Sequence, residues 1–169
     1  MRILDSNCTS MKKLIIIRHA KSSWDGFARD FDRTLETRGI KDAQLMAQAT
    51  QKLITADYKI IASSAQRASH TAQIFASVYG IISIDYLPEL YTFDEHVLEQ
   101  IVRTIDNQYH HIILFGHNEA ITNFVNKFGD VFIPNVATSG FTMLEFTTDN
   151  WQNISSGKTL KILSPKDLK

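Results

Sequence analysis

Three short apolar runs, each followed by polar residues, restrict what this chain can fold into. "KKLIII" (12–17) runs into Arg18 and His19. "YKIIAS" (58–63) leads into "SAQRASHTAQIFASVYG", and "HHIILFG" (110–116) leads into "HNEAITNFVNKFG". Their apolar character is continuous rather than alternating, which is the pattern of strands buried on both faces, as in a parallel sheet. The segments after the second and third runs carry a helical period. Ile74 and Val78 form a stripe that Gly80 can stop, with Ser63-x-x-Gln66 as a capping box. Ile121, Phe124, Val125 and Phe128 form another, with Asn118 as its cap and Gly129 as its end.

Two further helices are expected. One covers 37–54, through Ile40, Ala43, Ala47 and Ile54. The other covers 94–106, through Leu98, Ile101, Val102 and Ile105, opened by a Thr92-x-x-Glu95 capping box. Strands are expected at 81–86, 140–147 and 158–163. Strands alternating with helices give an α/β sandwich around a mostly parallel sheet. Its parallel strands end on one edge, where ligands of open α/β sheets bind. Arg18 and His19 thus leave the core where the first strand opens onto that edge.

The 169 residues suit one domain. The polar stretch "MRILDSNCTS" precedes a second methionine, so residues 1–10 read as an extension and 11–169 as the domain. This stretch lacks the apolar core of a signal peptide, and no apolar run reaches the length of a membrane span. Cys8 is the single cysteine, which fits a reducing compartment, with the cytoplasm as the default expectation. Lys+Arg and Asp+Glu number 18 each, a balance that argues against a nucleic-acid or membrane-surface coat. Anion binding must then come from a local cluster.

The strand ends supply one. The first delivers Arg18 and His19, the second Arg67 in the first turn of its helix, and the third His117. Arginine forks match phosphate oxygens, and helix N-termini add free N–H groups. Singly, each residue has an ordinary structural reading; together they describe a pocket for a small dianion such as a phosphoryl group. A metal site is not indicated, because the chain has no H-x-x-x-H pair, cysteine pair or acidic triad at these positions. A Gly-x-x-x-x-Gly-Lys loop is also missing, and Cys8 lacks the arginine spacing of a cysteine-based phosphatase. An imidazole is left as the nucleophile. Guanidinium neighbours keep His19 neutral and able to attack.

The segments "RHAKSSWD", "DFDRTLETRG", "SSAQRASHTA", "ELY", "GHNE" and "NVATSGFTMLEF" resemble, in order, the motifs of the histidine phosphatase superfamily, most closely its SixA-type phosphohistidine phosphatases. The resemblance spans about residues 11–165. It implies a three-layer α/β/α, phosphoglycerate mutase-like fold and chemistry without a metal or other cofactor. It implies that His19 becomes phosphohistidine and that Arg18, Arg67 and His117 hold the phosphoryl oxygens. Glu89 falls where larger relatives keep an acidic proton donor. Thr34, Glu119 and Ala137 stand where the group usually has proline. The expected substrate is phosphohistidine on a partner protein, or another phosphoramidate, with no nucleic-acid or membrane partner. The alternatives are a small-molecule phosphomonoesterase and a phosphate-binding module without turnover.

Overall fold

Within strand β1 (Lys12–Arg18), Leu14 and Ile16 face one side of the sheet, and Ile15 and Ile17 face the other; all four are fully buried. Burial of each such side chain contributes about 1.5–3 kcal/mol. That two-sided burial is the origin of the continuous apolar run. The computed structural model describes residues 10–169. The expected boundary between residues 10 and 11 therefore concerns a segment that lies almost wholly outside the described residues.

Among the described residues, β1 is followed by α1 (Thr37–Thr50), β2 (Lys59–Ser63), α2 (Gln66–Tyr79) and β3 (Ile84–Leu87). Then come α3 (Glu95–Arg103), β4 (His111–Gly116), α4 (Ala120–Phe128), β5 (Phe141–Phe146) and β6 (Lys158–Leu163). The sheet order is β3-β2-β4-β1-β5-β6. The first four strands are parallel, and β5 and β6 run antiparallel to them on one side. Helices α1 and α2 pack through Ala43, Met46, Ala47, Ala72 and Phe75 against Ile15, Ile17 and Phe115. Helices α3 and α4 pack through Leu98, Val102, Ile121, Phe124 and Val125 against Leu14, Ile16 and Leu114. This is a three-layer α/β/α sandwich.

Register aligns the strand ends. Arg18 pairs with Gly116 at the ends of β1 and β4, and Ile17 pairs with Phe141 at the start of antiparallel β5. Side chains that follow β1, β2 and β4, and those that precede β5, therefore meet at one edge.

Several boundaries differ from the sequence expectation. The third strand begins at Ile84 rather than 81. Gly80 ends α2 in the left-handed region, with φ 72°, and the N–H of Ile81 is bonded to the carbonyl of Ala76 at 3.0 Å. The helix cap thus takes up the residues before the strand. The Thr50 hydroxyl donates back to the Met46 carbonyl at 2.7 Å as α1 ends, and a short 3-10 turn continues through Leu53. Helix α3 stops at Arg103, where the Thr104 hydroxyl donates to the Ile101 carbonyl. Neither expected capping box forms. Asp94, not Thr92, caps α3 by accepting from the His96 N–H at 2.8 Å. Ser63 does not cap α2, which starts from Ala65; its hydroxyl is used in the site instead. Asn118 does cap α4, its Oδ1 accepting from the N–H of Thr122 at 3.1 Å.

Candidate active site

His19 follows β1 directly and is 8% exposed. Its Nδ1 lies 2.8 Å from the carbonyl oxygen of Ala20. A carbonyl only accepts, so Nδ1 carries the proton and Nε2 keeps a lone pair. The Nε of Arg67 donates to that Nε2 at 3.3 Å, consistent with the same tautomer. Thr71 fixes the local backbone: its hydroxyl accepts from the Ala20 N–H at 2.9 Å and donates to the Arg67 carbonyl at 2.7 Å. Burial pulls the His19 pKa down to about 3; the Ala20 bond opposes the shift, and Arg67, Arg18 and Arg33 add to it. The imidazole is neutral at pH 7.

His117 follows β4, and its ring centroid lies 5.2 Å from that of His19. Its Nε2 is 2.8 Å from the Ser63 hydroxyl oxygen. That oxygen already accepts from the Ala65 N–H at 3.2 Å. Ser63 is fully buried, so its hydroxyl proton goes to Nε2 of His117, and the His117 proton sits on Nδ1. Burial, followed by the repulsion that two protonated imidazoles would feel and by the Arg67 and Arg18 charges, lowers the His117 pKa to about 2, with Asp30 opposing the shift. Its Nδ1 is buried and has no hydrogen-bond partner in the protein, and neither does Nε of Arg18. Unmatched buried donors are costly. Two of them beside His19 mark a place for an anionic acceptor.

The Arg18 guanidinium is anchored through Nη1 to the Val136 carbonyl at 2.9 Å. The 137–140 turn closes against it. Ser139 is in the left-handed region, at φ 58°, and its N–H reaches the carbonyls of Arg18 at 3.1 Å and His19 at 3.3 Å. A non-glycine residue held there fits the strain found at functional loops.

A cavity of about 310 Å³ opens over Arg18 and His19; His117 touches His19 and Phe93 but is not among the residues that line the cavity. Arg18, His19 and Arg67 line it, and so do Arg33, Asp30, Trp24 and Phe93. Asp30 is the hub of the charged wall. It receives Arg67 Nη2 at 3.0 Å and Arg33 Nη1 at 3.0 Å on its carboxylate, Arg67 Nη1 at 2.6 Å on its carbonyl, and the Tyr91 hydroxyl. Burial pushes its pKa up, but the Tyr91 and Arg33 bonds and the Arg67 charge outweigh it and hold the carboxyl at about 2.

The structure thus brings together Arg18, His19, Arg67 and His117, as the sequence expectation has them. It does not bring Glu89 with them. Glu89 is exposed on a 3-10 turn (Pro88–Leu90) and does not line the cavity; the neighbouring Tyr91 reaches Asp30 instead. Glu119 is exposed at the start of α4. Among the described residues no group of three or more His, Cys, Asp or Glu side chains is placed to hold a metal ion.

The profile of the histidine phosphatase superfamily (branch 1) matches residues 14–112, more than half of the chain. The chain belongs to the histidine phosphatase superfamily. An uncharacterised chloroplastic protein of Arabidopsis thaliana is 27% identical over 152 residues, 83% of this chain and 69% of the relative. The fold is similar to that of the protein histidine phosphatase SixA solved with tungstate, with TM-score 0.79 and 21% identity, covering 93% of this chain and 99% of that one. It is also similar to a protein assigned as phosphohistidine phosphatase SixA from Agrobacterium tumefaciens, with TM-score 0.78, 21% identity and coverage of 91% and 98%. An Escherichia coli protein assigned as an α-ribazole-5'-P phosphatase has TM-score 0.67 at 16% identity, with coverage of 90% and 96%.

For this histidine phosphatase superfamily member, sequence reasoning missed Asp30, Arg33, Ser63, Tyr91, Trp24 and Phe93 as site residues. Asp30, Arg33 and Tyr91 lie inside the quoted motifs "DFDRTLETRG" and "ELY", where the excess of charged and aromatic residues over apolar ones was the available signal. Ser63 ends an apolar strand with a buried hydroxyl, the same grammar that singled out Arg18 and His19.

Proposed function

We propose that this protein is a phosphohistidine phosphatase, hydrolysing phosphohistidine on a partner protein or related phosphoramidates through a phosphorylated His19. The observation that carries this reading is the pairing of a lone pair on His19 Nε2, which meets only the long 3.3 Å contact from Arg67 Nε, with two buried nitrogens beside it that lack a partner, Nε of Arg18 and Nδ1 of His117. The phosphoryl group lies against these donors and Arg67. Nε2 attacks phosphorus in line, the Nε2–P bond forms, and the P–N bond to the leaving group breaks. The leaving nitrogen takes its proton from solvent. Water then attacks phosphorus, Nε2–P breaks, and inorganic phosphate leaves with the imidazole neutral again. The donors stabilise the charge on the equatorial oxygens throughout.

No step draws on a metal. Phosphoramidates are favoured because a leaving nitrogen can be protonated before it departs, so an exposed Glu89 is no obstacle. A phosphate monoester would need a positioned acid. The zero formal charge supports a protein or small-molecule partner over nucleic acid, and among the described residues no helix is long and apolar enough to cross a membrane. A cytoplasmic site of action, argued from the lone Cys8, belongs to the same proposal.

The test is comparative turnover of a phosphohistidine protein, phosphoramidate and a monoester panel, with acid quench of labelled enzyme. Acid-labile, base-stable label on the 11–21 peptide, lost in His19→Ala, is expected. Faster monoester turnover would select the phosphomonoesterase reading. Tight tungstate binding without turnover of any of them would select the non-catalytic module.

A further inference from the structure

Trp24 stands at the mouth of the cavity, 73% exposed. Single exposed apolar residues are ordinary; this one is unusual in being fixed. The Arg33 guanidinium carbon lies 3.3 Å from the centre of the indole, covering one face. Arg33 is itself immobilised: Nε donates to the Ser23 carbonyl at 2.9 Å, Nη1 to Asp30 at 3.0 Å and Nη2 to the Ser22 hydroxyl at 2.7 Å. A cation whose three nitrogens are each hydrogen-bonded elsewhere serves here as a support for the ring. Phe93, 51% exposed, also lines the cavity, and stands edge-on to the His117 ring at 5.6 Å.

The charged floor takes the phosphoryl group, so whatever is attached to phosphorus extends toward the mouth, where these two rings lie. A preorganised flat aromatic surface binds a flat ring better than a flexible aliphatic chain, because stacking needs no further ordering of the protein. A protonated ring gains again from the π face. We propose that Trp24, backed by Arg33 and with Phe93 on the wall of the same cavity, forms a subsite for a planar heteroaromatic leaving group, making this enzyme prefer a phosphoryl group carried on an imidazole ring over one carried on a simple amine. This rests on the phosphatase reading above and specifies the part of the substrate that the reading leaves open.

The test compares phosphoimidazole with phosphoramidate, which has no ring, as the ratio of their kcat/KM values. Trp24→Ala is expected to lower that ratio roughly five- to tenfold, the size of a lost aromatic pair. Trp24→Phe is expected to keep it within about twofold. A binding arm uses His19→Ala protein, which cannot be phosphorylated at that position. The only other tryptophan, Trp151, is fully buried, so an emission change on adding phosphoimidazole reports Trp24. Saturable change with phosphoimidazole, stronger than with phosphoramidate and lost in the added Trp24→Phe background, supports the subsite. An unchanged ratio or a silent emission overturns it. If wild type turns over neither compound, the phosphatase reading fails, and the emission titration still decides the subsite.

Discussion

The Ser63 hydroxyl oxygen lies 2.8 Å from Nε2 of His117, and because the buried hydroxyl has no other acceptor for its proton, we assign the hydroxyl as the donor. This sets which nitrogen of His117 carries a proton, and so whether the ring meets a phosphoryl oxygen as a donor or as a repelling lone pair. Ser63→Ala removes the donor. Nitrogen-resolved NMR of the imidazoles is expected to find His117 protonated on Nδ1 in the wild type and partly on Nε2 in the variant. Phosphoramidate turnover is expected to fall on the order of tenfold to a hundredfold, with a smaller change in KM, as when one oxyanion donor is weakened. Wild-type His117 carrying its proton on Nε2 would refute the assignment.

Asp30 and Arg67 make a second separable pair. Arg67 is 2% exposed and holds Asp30 through two of its nitrogens, which leaves Nε aimed at His19. Arg67→Ala removes positive charge and a phosphoryl contact, so turnover is expected to drop by about 10²-fold and tungstate binding to weaken. Asp30→Ala removes negative charge from the same cavity and frees Arg67 and Arg33 to move. Tungstate is then expected to bind more tightly while kcat falls. Inhibition and steady-state kinetics on both variants check this; parallel loss of tungstate affinity in the two would show that Asp30 acts only through folding.

The parts of this protein that are legible in its sequence are those set by periodicity and by abrupt endings. Ile15 and Ile17 against Leu14 and Ile16 give a strand buried on both faces, and the polar residues after such strands locate the edge. Four site residues follow from that. Asp30, Arg33 and Trp24 do not, because they sit on a loop with no repeating pattern, and only the fold carries them to the cavity. Ser63 reads from the sequence as a cap for α2, whereas its hydroxyl meets His117. A capping pattern read along the chain cannot see a histidine 54 residues away that competes for the same hydroxyl. The early start expected for the third strand failed for a similar reason, since the Gly80 cap took up the Ile81 N–H.

Gly39 in the first turn of α1 holds the loop after His19 in place. A Cβ there would come 2.1 Å from the Lys21 carbonyl oxygen and 3.0 Å from the Lys21 nitrogen, both backbone atoms that cannot swing aside. The same carbonyl accepts from the Glu36 N–H at 2.9 Å. Gly39→Ala is expected to destabilise by roughly 1–3 kcal/mol through overpacking, despite the better helix propensity of alanine. Because the strain falls two residues from His19, turnover should drop even at temperatures where the variant is folded. Denaturant unfolding and activity at 15 °C check both halves. A gain in stability would show that the loop yields easily.

Stability should also depend on pH through the two active-site imidazoles. Both are held neutral in the folded protein, with pKa values lowered to about 3 for His19 and about 2 for His117. In the unfolded chain each titrates near its ordinary value of about 6.5. Below that value the unfolded state binds protons that the folded state does not, so unfolding becomes easier as pH falls. Each histidine contributes at most about 1.4 kcal/mol per pH unit, from near pH 6.5 down toward its folded value. Asp30, lowered from 3.8 to about 2, gives up its contribution only below about pH 4, outside the upper part of this window. Unfolding free energies between pH 7.5 and 5.0 are expected to fall steeply for the wild type. His117→Asn, which keeps a polar side chain but cannot titrate, is expected to be less steep by about 1 kcal/mol per pH unit below pH 6.5. Equal slopes for the two proteins would mean that His117 binds its proton as readily in the folded state as in the unfolded one, and its pKa is not lowered.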